Sequence, residues 1–335
     1  LIPEAAFRHA LASLLGPVRA LLDDPTVSDV LINGPLEVYV ERRGRLAHSP
    51  IRFPSYTALD AALRSLAQYA GRPLDADHPI LEGHLPDGSR VEAIIPPAAP
   101  NGPVVAIRRF ARERLTIEHL VEAGALSRAA AGFLRIAIEA KRNVLVAGGT
   151  GSGKTSLLNA LSSFIPATDR VIVMEDAREL TLEGEHVVRL LARPGDGEGR
   201  GRVTIRDLFH AALRLRPDRL VIGEIRGAEA LDVIQAMTSG HGGCLSTLHA
   251  ASPADALRRL ETMALMSGVE LPLFALRAQI ASAVDLVVQT ERNREGHRRV
   301  THVTEVVGVH AERGYELADR SLANAVRPME KGSST

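Results

Sequence analysis

Asn143-Val144-Leu145-Val146-Ala147-Gly148-Gly149-Thr150-Gly151-Ser152-Gly153-Lys154-Thr155-Ser156-Leu157-Leu158 decides the fold. Residues 148–155 have the form G-x-x-x-x-G-K-T. An apolar run precedes them and a helical pattern, Ser156 to Leu161, follows, which is the strand–loop–helix context a phosphate loop requires. Gly148, Gly149, Gly151 and Gly153 would let backbone N–H groups turn inward around phosphate oxygens. Thr150, Ser152 and Ser156 complete the expected binding segment. The helix N-terminus adds partial positive charge. Lys154 can reach the β- and γ-phosphates, and the Thr155 hydroxyl can ligate Mg²⁺. The plain alternative is a glycine-rich turn before a helix, but every fixed position and both flanks agree with nucleotide binding.

Working outward, apolar runs at 143–147, 171–174, 219–223, 244–248 and 285–289 alternate with helical patterns from Ile117 onward. Such alternation predicts an α/β domain with a parallel sheet covered on both faces, spanning 117–335. Before it, residues 1–110 predict a small α+β domain. Its helices are expected at 5–22 and 55–69, and its strands at 27–32, 37–41, 90–95 and 104–108. Asn33-Gly34-Pro35 and Arg43-Gly44 read as turns. The arginine-rich stretch 111–116 reads as a linker. The glycine-rich stretch 194–202 reads as a surface loop, with Thr204 as the N-cap of the next helix.

The 335 residues suit about two or three domains, and a composition of 45% apolar and 24% charged residues suits a globular chain. The formal net charge is zero, so nothing global points to nucleic acid or a membrane surface. The single cysteine, Cys244, excludes an internal disulfide framework and a multi-cysteine zinc site. No run approaches the ~18 apolar residues of a membrane span. No signal-peptide pattern is read, and a reducing cytoplasm is the expected compartment.

A bound triphosphate needs a metal ligand and a group that orients or deprotonates water. Leu220-Val221-Ile222-Gly223-Glu224 is an apolar strand ending in a carboxylate. In a parallel sheet that end lies on the edge carrying the phosphate loop. Glu224 would then face Mg²⁺ through water. Val171-Ile172-Val173-Met174-Glu175-Asp176 repeats the design. A surface acid ending a strand is the alternative for each. In Gly240-His241-Gly242-Gly243-Cys244-Leu245-Ser246-Thr247-Leu248-His249, the histidine at the strand's end could sense the γ-phosphate. It could instead be structural, or His241, Cys244 and His249 could hold a metal, although their spacing matches no standard zinc pattern.

Four boxes in this order resemble the secretion ATPases of type II, type IV pilus and type IV secretion machines. They are the phosphate loop, Glu175-Asp176, residues 220–226 and residues 240–250. Val203-Thr204-Ile205-Arg206-Asp207-Leu208, the run Leu213 to Arg219, Gly223-Glu224-Ile225-Arg226-Gly227 and Leu260-Glu261-Thr262-Met263 are most similar to the CpaF/TadA subgroup of tight-adherence (Flp) pilus systems. The resemblance implies a RecA-like C-terminal domain, a PAS-like N-terminal domain and a ring of six subunits. It implies a cytoplasmic location at the inner membrane, where the ring would engage platform proteins, with ATP and Mg²⁺ as cofactors. Arg90 and Arg108 match the family's phosphate-contacting arginines, Arg109 stays open, and Arg226 could simply pair with the adjacent acids. Glu175 is commonly the water-activating acid, with Glu224 closer to Mg²⁺, though the roles could be exchanged. A nucleotide-gated scaffold and a DNA-translocating motor are the competing functions. Aromatic content of only 3% gives the latter little support.

Overall fold

A computed structural model describes residues 13–320, apart from 43, 86, 110–114, 194, 196–198 and 311. The early part of the expected first helix, most of the expected linker, Arg43 of the second turn and part of the glycine-rich loop lie outside the described residues. The chain divides into two compact units. Ala177–Glu179 and Arg193–Val203 group with the first, although both fall within 117–335.

The first unit holds helices α1 (Gly16–Asp23) and α2 (Tyr56–Ala70) and strands β1 (Val27–Asn33), β2 (Glu37–Arg42), β3 (Arg45–Ser49), β4 (Ile80–His84), β5 (Arg90–Ile94) and β6 (Val104–Arg108). The strands form an antiparallel sheet in the order β3-β2-β1-β6-β5-β4. Alternate residues Val30, Ile32, Val38, Val40, Val91, Ala93, Val105 and Ile107 face a core shared with Val18 and Leu22 of α1 and Leu59 and Leu63 of α2. The sequence pattern does not reveal β3 and β4, the two edge strands. Of β3 only Ser49 is buried, so backbone pairing rather than apolar alternation makes it a strand.

The second unit contains α3 (Ile117–Glu122), α4 (Arg128–Glu139), β7 (Val144–Gly148), α5 (Lys154–Ser162), β8 (Val171–Glu175), β9 (Val187–Leu191), α6 (Ile205–Ala212), β10 (Arg219–Ile222), α7 (Glu229–Thr238), β11 (Leu245–His249), α8 (Pro253–Leu265), α9 (Leu273–Ala283), β12 (Leu286–Arg292), β13 (Arg298–His310) and β14 (Gly314–Asp319). Strand order is β14-β13-β12-β7-β11-β10-β8-β9. Strands β12 to β9 pair in parallel, as the alternation predicts. β13 and β14, which the sequence pattern does not reveal, extend the sheet antiparallel. Period-two alternation sorts the strand residues between two cores. Leu145, Ala147, Ile172, Met174, Leu220 and Ile222 face one, and Val144, Val146, Val171, Val173 and Val221 face the other.

One buried residue fixes the start of the strand that leads to the phosphate loop. Asn143, 4% exposed, donates from Nδ2 to Ala283 O at 2.7 Å and accepts at Oδ1 from Cys244 N–H at 3.0 Å. Its own N–H donates to Asp285 Oδ2 at 2.8 Å, and Arg142 Nη1 pairs with Asp285 Oδ1 at 2.7 Å. β7 is thus tied to both neighbours, β11 and β12, at one end. Replacing Asn143 by Ala strands a buried carbonyl and a buried N–H. Asn143→Ala should therefore cost about 2–4 kcal/mol of stability, measured by urea unfolding. A loss within ~0.5 kcal/mol, the usual range for surface substitutions, would show that the clamp is not structural.

Candidate active site

The strand order decides what meets what. β7, β11, β10 and β8 are successive neighbours, and all point the same way. The loop leaving β7, His249 at the end of β11, Glu224 just past β10 and Glu175 at the end of β8 therefore lie in sequence along one edge.

Gly151 and Gly153 take positive φ, +67° and +98°, and Gly153 caps α5 in the left-handed conformation. These two supply the backbone freedom the loop needs. Gly148 does something else. It is the last residue of β7, and a Cβ there would stand 2.3 Å from Thr290 Oγ1 and 2.4 Å from Ser152 Oγ. Gly149 has open space and no positive φ. Among these four glycines, a positive φ is confined to Gly151 and Gly153. Lys154 opens α5, with Thr155 and Ser156 beside it in the first turn, where helical N–H groups lack intrahelical partners.

Lys154 is 7% exposed. Its Nζ donates to Gly148 O at 3.2 Å and Gly149 O at 3.0 Å, and lies 3.4 Å from His249 Nδ1. An ammonium has no lone pair, so Nδ1 must accept and the ring proton sits on Nε2. Nε2 then donates to Glu224 Oε1, 3.1 Å away. The other oxygen of Glu224 accepts from Arg226 Nη2 at 2.7 Å, and Arg226 Nη1 lies 3.7 Å from Asp176 Oδ2. Arg226 therefore pairs with both acidic boxes. Glu175 is 3% exposed and accepts the Leu180 N–H at Oε1, 2.7 Å. Burial first, then the Lys154 charge, holds the His249 ring below its ordinary pKa, opposed by Glu224.

Thr247 donates to Gly223 O at 2.7 Å, tying β11 to the turn before Glu224. Cys244 is buried in the core, and burial pushes its thiol up to about 12. Among the described residues, no three of His, Cys, Asp or Glu are grouped to hold a metal. A hydroxyl and a carboxylate, the expected roles of Thr155 and Glu224, are donor types that Mg²⁺ takes. That ion takes few protein oxygens and completes its shell with phosphates and water.

In the first unit, Arg90 and Arg108 are register partners on β5 and β6. Arg90 pairs with Glu82 at 2.6 Å and Arg108 with Asp29 at 3.1 Å, so acids offset two adjacent like charges. Arg109 is committed elsewhere, donating to Asp24 O at 2.5 Å and Val27 O at 2.6 Å. The sequence pattern missed Thr290, Arg292 and Arg298, which also lie at the loop. The run Arg292 to Arg299 carries no local signature of the site, and strand order brings it to Gly151.

The profile of the family described as "Type II/IV secretion system protein" matches residues 12–320. The chain belongs to this family. The type IV secretion system protein PtlH of Bordetella pertussis is 36% identical over 299 residues, covering 82% of this chain and 88% of that protein. VirB11 of Brucella suis is 32% identical, covering 91% and 93%. Among solved structures, the Legionella pneumophila ATPase DotB matches with a TM-score of 0.60 at 21% identity, over 84% of this chain and 78% of that one, which bears on the fold alone. The second unit has the α/β, RecA-like fold of these secretion ATPases. Among the described residues, no helix is long and apolar enough to cross a membrane.

The burial of His249 and the Lys154 charge beside it give this family member a pH signature. A depressed native pKa means that the unfolded chain takes up the proton first. The stability contributed by the neutral ring is therefore present above about pH 6.5 and is lost as pH falls toward the native value. ¹⁵N NMR of the ring should show the Nε2–H tautomer at pH 7 and a midpoint below the ordinary histidine value. A midpoint at or above that value, or an Nδ1–H tautomer, would contradict the arrangement.

Proposed function

We propose that this chain is the ATP-hydrolysing subunit of a six-membered ring that powers assembly of a type IV or tight-adherence pilus, or a related secretion machine. The observation that carries this reading is the convergence of Lys154, His249, Glu224 and Glu175 on adjacent parallel strand ends. Lys154 and the loop amides would hold the β- and γ-phosphates, and Thr155 with Glu224, the latter through water, would hold Mg²⁺. The ion neutralises phosphate charge when bound. Glu175 orients the attacking water, and Glu224 is the alternative for that role. His249 reports to Glu224 on where Lys154 stands. Arg90 and Arg108 are the phosphate-contacting arginines that the family resemblance implies, and loss of phosphate would be passed on as movement to a membrane platform protein.

The names of the relatives bear on the machine. PtlH and VirB11 are named for type IV secretion, and TrbB of Rhizobium radiobacter, 33% identical over 293 residues, for conjugal transfer. These names support the broader class. The tight-adherence assignment rests on the segments 203–208, 213–219, 223–227 and 260–263. A cytoplasmic ring resting on the inner membrane fits either machine.

Lys154→Ala should lower steady-state phosphate release by about a hundredfold or more, because it removes a charge from the cradle. Near-normal turnover would overturn the assignment. Glu175→Gln should keep ATP binding and stop hydrolysis. If Glu224→Gln alone does so, the two acids exchange roles.

A further inference from the structure

The β12–β13 hairpin lies against the phosphate loop. β12 pairs with β7 so that Thr290 stands opposite Gly148, and the chain beyond Thr290 continues beside the loop. Thr290 Oγ1 donates to Ala147 O at 3.1 Å and lies 2.8 Å from Ser152 Oγ. From the returning strand, Arg298 Nε donates to Gly151 O at 2.8 Å. The stem of Arg298 crosses Gly153, where an added Cβ would stand 3.3 Å from its Cδ. Arg292 is near as well, with Nη1 3.3 Å from where a Cβ on Gly151 would be.

A trans peptide points its C=O and its N–H in opposite directions. With the Gly151 carbonyl held by Arg298, the Ser152 N–H is turned the other way, and it donates to Gly149 O at 3.3 Å. Gly151 has no side chain and sits at φ +67°, so its own conformation restrains this peptide weakly. The restraint comes from outside, through a charge-assisted hydrogen bond.

We infer that Arg298 is a positioning residue of the nucleotide site, fixing the 151–152 peptide and with it the turn of the loop in which the Ser152 N–H reaches Gly149 O. This rests on the nucleotide-binding reading above. Arg298 acts on the cradle rather than on the reacting atoms. Its loss therefore weakens ground-state and transition-state binding alike, which raises KM and spares kcat.

The test uses the full chain with Arg298→Ala, Arg298→Gln and Arg298→Lys. It measures the Kd of Mg²⁺-ATP and of ADP, steady-state KM and kcat, and thermal unfolding without nucleotide. Arg298→Ala and Arg298→Gln should raise Kd and KM by about fivefold, the size expected of an exposed charged hydrogen bond. Their kcat should stay within about twofold of the parent and their unfolding temperature should be unchanged. Arg298→Lys, which keeps a charged donor, should recover most of the affinity. Parent-like Kd and KM in Arg298→Ala would overturn the inference. So would a fall in kcat at constant KM, or an affinity loss that follows a lowered unfolding temperature and is not rescued by Lys. No nucleotide binding by the parent chain would overturn this inference together with the functional reading, whereas normal parent binding with unaltered Arg298 variants would overturn this inference alone.

Discussion

Lys154 carries a full charge into a site where it is only 7% exposed. Removing an ammonium from water is costly unless polar groups replace the lost hydration. The carbonyls of Gly148 and Gly149 and the His249 ring supply that replacement. Each is delivered by a different constraint. The two carbonyls come from the loop that β7 launches, and His249 from the end of β11, which runs beside β7 in register with His249 opposite Gly148. The clamp at Asn143 fixes the far end of the same strands. A shift of β11 against β7 would carry His249 away from Lys154 and leave the ammonium with fewer partners.

The chain from Lys154 through His249 to Glu224 and Arg226 is a single run of donors and acceptors. Because the first member can only donate, the tautomer of the histidine follows without further assumption. A phosphate oxygen is a stronger acceptor for Lys154 than a carbonyl or a neutral imidazole nitrogen. In the proposed motor, phosphate draws Lys154 off Nδ1 and alters what His249 offers Glu224. Glu224 shares Arg226 with Asp176 of the neighbouring box. The site is thus a coupled set rather than a collection of separate contacts.

Much of this was legible in the sequence, for identifiable reasons. Apolar runs mark β7, β8, β10, β11 and β12, because strands buried on both faces are mostly apolar along their length. Glu175 and His249 end such runs and Glu224 lies just beyond one, so their positions follow once the sheet is parallel. What escaped reading lacks a local signature. Strand β3 is held at a sheet edge with four of its five residues exposed. β13 and β14 turn the sheet antiparallel beyond the helical alternation. Thr290, Arg292 and Arg298 reach the loop only because β12 is the neighbour of β7 on the side away from β11. Gly151 and Gly153 serve backbone conformation, while Gly148 serves close packing against Thr290.

The central claim is that residues 148–155 form a phosphate cradle whose lysine exchanges protein carbonyls for phosphate oxygens. Isothermal titration with a non-hydrolysable ATP analogue and Mg²⁺ tests it most directly. Saturable binding of one nucleotide per chain, with a dissociation constant on the order of micromolar that Lys154→Ala weakens sharply, is the predicted result. Absence of saturable binding at millimolar nucleotide, or equal binding by the Lys154→Ala chain, would contradict it.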